Sequence, residues 1–363
     1  MELAPLGATG AREVPGGVAF SGGWQLCYAA NLWSRLASRI LWRVAEFDCR
    51  DENDLYAGAR AVHWPDFFRV ENPLRVHVAA QKSPLKSLDF ATLRIKDAVC
   101  DRFRDAVGSR PSVDRANPEV RVHAFLEASR GALYLDTSGA PLFKRGWRAG
   151  RTEAPLRENL AAGIVLLSGW KPDAALLDPM CGGGTILVEA AAMARGRAPG
   201  ARRGFGFEKL KIFDSVLWER VKKKSIDAEP LPKVLQIVGS DSDPGVLNDA
   251  RRNLAAAGVE RWVKLEPADV LERTAPAPAG VMIANPPYGE RIGSKEDLAD
   301  FYPKLGDALK KNFAGWRCHF FTADLRLPKL IRLQPARRVP LYNGALECRL
   351  YEFGIVAGSH RKK

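Results

Sequence analysis

From about residue 174 the chain alternates short apolar runs with helical segments, and this rhythm restricts the fold more than any other feature. Ala174-Ala175-Leu176-Leu177 reads as a short buried strand and Thr185 to Ala194 as an Ala-rich helix. Val234 to Val238 reads as a strand and Pro244 to Ala257 as a helix. Strand-like Trp262 to Leu265 and Val281 to Ala284 follow, then a helix over Leu298 to Phe313 and a strand over Cys318 to Thr322. Alternation of this kind predicts an α/β fold with a mostly parallel, doubly wound sheet. Two late extended stretches, near Val339 to Tyr342 and Leu346 to Ile355, predict an antiparallel closing hairpin. In such sheets ligands bind beyond the carboxyl ends of the strands. The loops that follow the strands therefore carry the chemistry.

The first of these loops is Asp178-Pro179-Met180-Cys181-Gly182-Gly183-Gly184-Thr185. Its glycines let backbone approach a ligand closely, and the next helix presents free N–H groups. No Lys follows the last glycine, so this is not a Walker loop, and the Rossmann glycine spacing is absent. The second loop, Gly239 to Pro244, places Asp241 where a carboxylate accepts two hydrogen bonds from a ribose diol. Asp243, just before Pro244, reads as a helix N-cap. The third, Ala268-Asp269-Val270, offers an acceptor for an exocyclic amine such as that of adenine. The fourth is Asn285-Pro286-Pro287-Tyr288. There an amide oxygen and a proline carbonyl can accept from a planar NH2 group while the ring stacks on its plane. Each loop alone is equally compatible with a plain turn.

Residues 1 to about 145 read as an α+β region. Helices are expected over 27–44 and 90–107, with a short strand at Val18 to Phe20. Further strands are expected at Leu74 to Val78, Val120 to Leu126 and Leu133 to Asp136, the last two forming a hairpin around Ser129-Arg130-Gly131.

The formal net charge of +13 favours an anionic partner such as nucleic acid, or general solubility. The stretch Arg326 to Arg338 holds five basic residues and no acid, and the end His360-Arg361-Lys362-Lys363 is basic as well. Six cysteines form no C-x-x-C pair, and no His/Cys cluster has metal-ligand spacing. No metal is expected. Without a long apolar run or a signal peptide, the chain reads as a soluble cytoplasmic protein with free thiols and no membrane partner.

Four successive strands ending in Gly-rich, Asp, Asp and Asn-Pro-Pro-Tyr loops make the second half resemble a class I S-adenosylmethionine-dependent methyltransferase that acts on amines. Over nearly its full length the chain resembles the THUMP-domain RNA guanine-N2 methyltransferases, in particular the bacterial 23S ribosomal RNA branch. The stretches that carry this are Ala30 to Arg39, Arg110 to Asp114, Leu135 to Gly139, Phe143 to Arg148 and Ala154 to Ala162, with Leu177 to Thr185 and Asn285 to Gly289.

The resemblance implies an N-terminal α+β ferredoxin-like subdomain over 1–45, a THUMP RNA-binding domain over 46–148, and a methyltransferase domain with a seven-stranded sheet over 149–363. Relatives usually carry a further strand and helix before the region matching Met1, so the first subdomain is expected to be shortened. Their glycine loop often has Ser where this chain has Gly183.

S-adenosylmethionine is the implied cofactor. Asp178, Cys181, Gly182 and Gly184 would border its amino acid end, Asp241 its ribose, and Asp269 with Val270 its adenine. Asn285, Pro286, Pro287 and Tyr288 would form the catalytic loop, Asn285 also bordering the cofactor. Lys96, Lys144, Arg145, Arg148 and Arg157 are the candidate RNA contacts; the plain alternative is a solvated face for the first four and a structural role at a helix start for Arg157, which with Asn159 would line the cofactor or substrate mouth. The implied partner is 23S rRNA or a large-subunit precursor, with no obligate protein partner. The catalytic loop serves any planar amine, so N6 of adenine and a protein glutamine amide remain open as targets. A non-catalytic RNA-binding assembly factor is the reading of a different class.

Overall fold

The computed structural model describes residues 2–148, 156–227, 234–286 and 295–356. In chain order its strands begin with a hairpin, β1 (Thr9–Val14) and β2 (Gly17–Ser21). Helix α1 (Trp24–Trp33), β3 (Leu41–Asp48), α2 (Glu52–Ala61), β4 (Leu74–Gln81) and α3 (Leu88–Val107) follow. Then come β5 (Val120–Glu127), β6 (Arg130–Asp136), α4 (Glu158–Leu167), β7 (Ala175–Asp178), α5 (Thr185–Ala194) and α6 (Ser215–Asp227). The chain continues through β8 (Ile237–Asp241), α7 (Pro244–Ala257), β9 (Val263–Pro267), β10 (Gly280–Ala284), α8 (Lys295–Asn312), β11 (Trp316–Thr322), β12 (Arg337–Asn343) and β13 (Leu346–Gly354).

Two compact units form: Met1–Leu142 with Ala198–Asp227, and Phe143–Arg197 with Ala228–Lys363. The first unit holds a four-stranded sheet in the order β3-β6-β5-β4, parallel only between β4 and β5. Alternation places Val76, Val122, Leu133 and Leu135 on its buried face, in one core with Leu55 of α2 and Ile95 and Val99 of α3. Residues Ala198–Asp227, between α5 and β8 in sequence, belong to this unit through an aromatic cluster. Tyr28 packs on Phe207 at 4.5 Å between ring centroids, and its hydroxyl accepts the Asp214 N–H at 3.0 Å.

The expected helix over 27–44 is corrected: it ends at Trp33, and β3 begins at Leu41. The Glu2 carboxylate accepts the backbone N–H groups of Arg35 and Leu36, which takes them out of the helical ladder. From Leu41 onward the residues pair with β6. The spacing of Leu32, Leu36, Ile40 and Leu41 matches a helical face, but the backbone bonds go elsewhere. Helix α2 goes unrecognised in the sequence, although Asp51 caps it by accepting the Asn53 and Asp54 N–H groups.

The stretches around Asn31 and Asp136 are structural partners. Asn31 donates to Thr137 Oγ1 at 2.8 Å and accepts from Ser138 Oγ at 2.7 Å, in full burial. Arg39 forms an ion pair with buried Asp136. Their polar character satisfies a buried hydrogen-bond network.

The second unit holds a seven-stranded sheet in the order β12-β13-β11-β10-β7-β8-β9. β11, β10, β7, β8 and β9 run parallel, while β13 is antiparallel to β11 and to β12. This is the doubly wound sheet and closing hairpin that the sequence rhythm predicts. One strand sits later than expected: β8 begins at Ile237, which pairs with Leu176, so Asp241 is the strand's last residue. Its Gly239 is packed so closely that a Cβ would lie 2.3 Å from Leu187 Cδ1. All six cysteines are buried and unbridged.

Candidate active site

β10, β7, β8 and β9 are parallel neighbours, so their carboxyl ends lie along one edge. The order along the sheet reverses between β7 and β10, and a crevice opens at such a switch point. The four loops singled out in the sequence all leave this edge.

Asp178, the last residue of β7, is fully buried, and its Oδ1 accepts the Met180 N–H at 3.4 Å. Burial pushes its carboxyl well above the usual carboxylate range, the Asp241 charge adds to this, and the Met180 bond opposes it. The loop then turns through Gly182 at φ +52° and Gly184 at φ +76°, left-handed conformations that glycine adopts without strain. A Cβ on Gly182 would meet nothing within 4 Å, so this stretch of backbone borders open space. Cys181 donates its backbone N–H to Ser240 O at 2.9 Å. Burial pushes the Cys181 thiol far up, which leaves it protonated and no nucleophile.

The glycine loop is tied to β8 and α7. Asp241 Oδ2 accepts the Gly182 N–H at 3.0 Å, and Oδ1 accepts the Asp243 N–H at 3.2 Å. A carboxylate offers about four acceptor positions, so Asp241 keeps room for two hydroxyls. Asp243 caps α7 by accepting the Gly245 and Val246 N–H groups, as its place before Pro244 predicts. Asn253 of α7 donates to Gly183 O at 2.9 Å. Sequence reasoning missed Asn253; the signal was a polar residue in line with Leu247, Ala250 and Leu254 on a buried helix face.

Asp269 is exposed, and its Oδ1 accepts the Leu271 N–H at 2.9 Å, which shapes the turn after β9. Val270 beside it is buried in the core of α8 and β11. Asn285 and Pro286 leave the end of β10, next to β7. Asn285 Oδ1 is buried and has no hydrogen-bond partner among the described residues. A buried acceptor left unmade costs about 1–3 kcal/mol, so it marks a place for a donor. Pro287 and Tyr288 lie outside the described residues.

The candidate RNA contacts divide. The sequence reading puts Arg145 on the surface; the structure buries it 3.4 Å from the buried Glu189 carboxylate, so phosphate cannot reach it. Arg148 donates to Glu158 Oε1 at 3.0 Å and to Thr185 Oγ1 at 3.2 Å, bracing the start of α5. Arg157 is exposed, with its guanidinium 5.0 Å from the Phe143 ring centroid. Lys144 is exposed. Lys96 pairs with Asp97 and lines a groove of about 340 Å³ with Arg75, His77 and Arg115.

Among the described residues no group of His, Cys, Asp and Glu is arranged to hold a metal ion, and no helix is long and apolar enough to cross a membrane.

The family model described as "RMKL-like, methyltransferase domain" matches residues 145–352. The chain belongs to this RMKL-like methyltransferase family. A THUMP domain model matches residues 49–136, and a model described as "RlmL ferredoxin-like domain" matches residues 1–41. Relatives named ribosomal RNA large subunit methyltransferase K/L include one from Photobacterium profundum, 39% identical over all of this chain and 52% of its own length. The chain thus spans about half the length of the curated relatives it matches. Among solved structures, SMU.472, described as a methyltransferase complexed with SAH, is 32% identical with a TM-score of 0.86, over 99% of this chain and 94% of that one. A Listeria monocytogenes protein described as a predicted N6-adenine-specific DNA methylase is 28% identical with a TM-score of 0.87, over 98% and 92%.

Proposed function

We propose that this chain transfers a methyl group from S-adenosylmethionine to the exocyclic N2 of a guanine in large-subunit ribosomal RNA, 23S rRNA or its precursor. The buried Asn285 Oδ1 at the switch point, without a hydrogen-bond partner among the described residues, carries the reading. An amine is the donor it lacks.

The residues present fit the cofactor. Gly182 offers backbone beside open space, Asp241 retains free acceptor positions for a ribose diol, and buried Asp178 has a carboxyl raised well above its usual range, whose charged form an ammonium would favour. Gly184 opens α5 and Cys181 fixes the loop to β8 through its backbone. Asp269 and Val270 would flank the adenine. When bound, S-adenosylmethionine supplies a methyl group activated by its sulfonium.

Asn285 Oδ1 and the Pro286 carbonyl would accept the two N2 hydrogens and aim the nitrogen at the methyl carbon. As N2 attacks, the methyl carbon's bond to sulfur would break with its electron pair left on sulfur, both acceptors would stabilise the positive charge on N2, and one N2 proton would then pass to solvent. Proximity and orientation supply the rest of the acceleration, and the chemistry as proposed calls for no metal. Tyr288 would stack on the base, which must leave its helix to reach the crevice. Residues 1–45, 46–148 and 149–363 would serve as ferredoxin-like, THUMP and methyltransferase domains, with Arg157, Lys144 and Lys96 toward the RNA.

The names of the K/L relatives and the THUMP match support rRNA as substrate. N6 of adenine is the second reading, supported by the description of the Listeria neighbour as an adenine methylase. Incubation with methyl-labelled cofactor and rRNA from a strain lacking the gene tests transfer itself. Label in large-subunit RNA is expected; an unlabelled RNA pool would leave the non-catalytic reading.

A further inference from the structure

We propose that the face of the four-stranded sheet opposite α2 and α3 in the first unit is a stacking platform for single-stranded RNA. Helices α2 and α3 cover the other face of this sheet. The strand registers define what this face carries, with His77 exposed, Tyr134 half-buried and the His123 side chain 16% exposed. His77 of β4 lies opposite His123 of β5, His123 opposite Tyr134 of β6, and Tyr134 opposite Arg43 of β3. Three rings and a guanidinium thus form one row across all four strands. Neighbouring strands lie about 4.8 Å apart, so the rings span roughly 10 Å. The His77 and His123 rings stand edge to face, with centroids 5.2 Å apart.

The adjacent row sets Arg75 opposite Arg121. Arg121 is half-buried between Arg39, Arg75 and Asp136. The nearby acids are engaged: Asp136 with Arg39 and His123, and Glu46 with Arg43 and Arg130. Arg75 donates to the Arg115 carbonyl at 2.9 Å, and neither Arg75 nor Arg121 forms an ion pair within 4 Å among the described residues. The face therefore has excess positive charge beside a row of rings.

That pairing selects its occupant. Guanidinium groups attract phosphates, and rings accept unstacked bases on their π faces, whatever the base. A flat sheet surface suits splayed bases, which a duplex keeps inside its stack. Arg75 and His77 also line the groove with Lys96 and Arg115, so the basic surface continues over the β4 edge.

Binding by the first unit is tested independently of methyl transfer. Binding of fluorescein-labelled oligoadenylate to the full chain is measured by anisotropy, with a blunt RNA duplex as comparison. Tyr134→Ala is expected to weaken oligoadenylate roughly 5- to 150-fold, the range for loss of one stacked base. Tyr134→Phe, which keeps the ring, is expected to bind like the wild type. His77→Ala tests the row at an exposed edge residue, where the fold does not depend on the side chain. Arg121→Gln should lower the salt dependence by about 0.7 in slope, one phosphate contact on a single strand. Wild-type affinity in both Ala variants, or preference for the duplex, overturns the platform. If methyl transfer succeeds while these variants bind normally, only the platform falls. If the rings matter but no methyl reaches RNA, only the proposed reaction falls.

Discussion

Asp241 Oδ2 accepts the Gly182 N–H at 3.0 Å, so the acid ending β8 holds the glycine loop that follows β7. One carboxylate thus fixes the backbone bordering the crevice and, in the proposed site, would also present acceptors to a ribose. Asp241→Ala removes both. Losing hydrogen bonds to a charged group costs about 1.5–3 kcal/mol, or roughly 10- to 150-fold in cofactor affinity. Calorimetric titration with S-adenosylhomocysteine checks this, and unchanged affinity would remove Asp241 from the cofactor site.

Asp178 is buried with its carboxyl pushed well above the usual range. A carboxyl raised on folding binds its proton more tightly in the folded state. Stability without cofactor should therefore fall as pH rises from the ordinary carboxylate pKa, about 3.9, toward the raised folded value. Asp178→Asn removes this loss. Its unliganded Tm should exceed that of the wild type at neutral pH, by about 2–4 °C per kcal/mol released in a unit of this size. The same variant should bind cofactor more weakly. A lower Tm together with intact affinity would show that the carboxyl serves packing alone.

Asn285→Ala should reduce transfer about 10²- to 10³-fold, the usual cost of one pre-aimed polar group at a transition state. Its affinity for S-adenosylhomocysteine should fall far less than transfer does, because Asn285 only borders the cofactor while the missing acceptor would face the amine. Rapid single-turnover assays with saturating cofactor separate the two effects, and full-rate transfer would contradict the assigned role.

Arg145 and Glu189 form a buried ion pair. Removing one partner from such a pair costs about 3–5 kcal/mol. Denaturant unfolding of Arg145→Ala should show a loss of that order. A variant of wild-type stability that binds RNA less well would restore Arg145 to the RNA surface.

Much of the second unit was legible because its strands and helices repeat one pattern. α5 lies where its composition places it and α7 where its cap does, and each of the four loops singled out in the sequence leaves the same edge of the sheet. What escaped depends on contacts distant in sequence. Glu2 ends α1 by capturing N–H groups more than thirty residues away, which no local spacing encodes. The docking of Ala198–Asp227 on Tyr28 is likewise visible only in three dimensions. Arg145 reads as one more surface cation because its partner Glu189 is 44 residues away. Two of the stretches that carry the family resemblance, around Asn31 and Asp136, turn out to be a buried polar network in the first unit.

Nucleoside analysis decides which base receives the methyl group. Large-subunit RNA from a strain lacking the gene is methylated by the purified chain, digested to nucleosides and analysed by mass spectrometry. The added methyl is expected in N2-methylguanosine. Its appearance as N6-methyladenosine, or the absence of any newly methylated nucleoside, would contradict guanine N2 as the target.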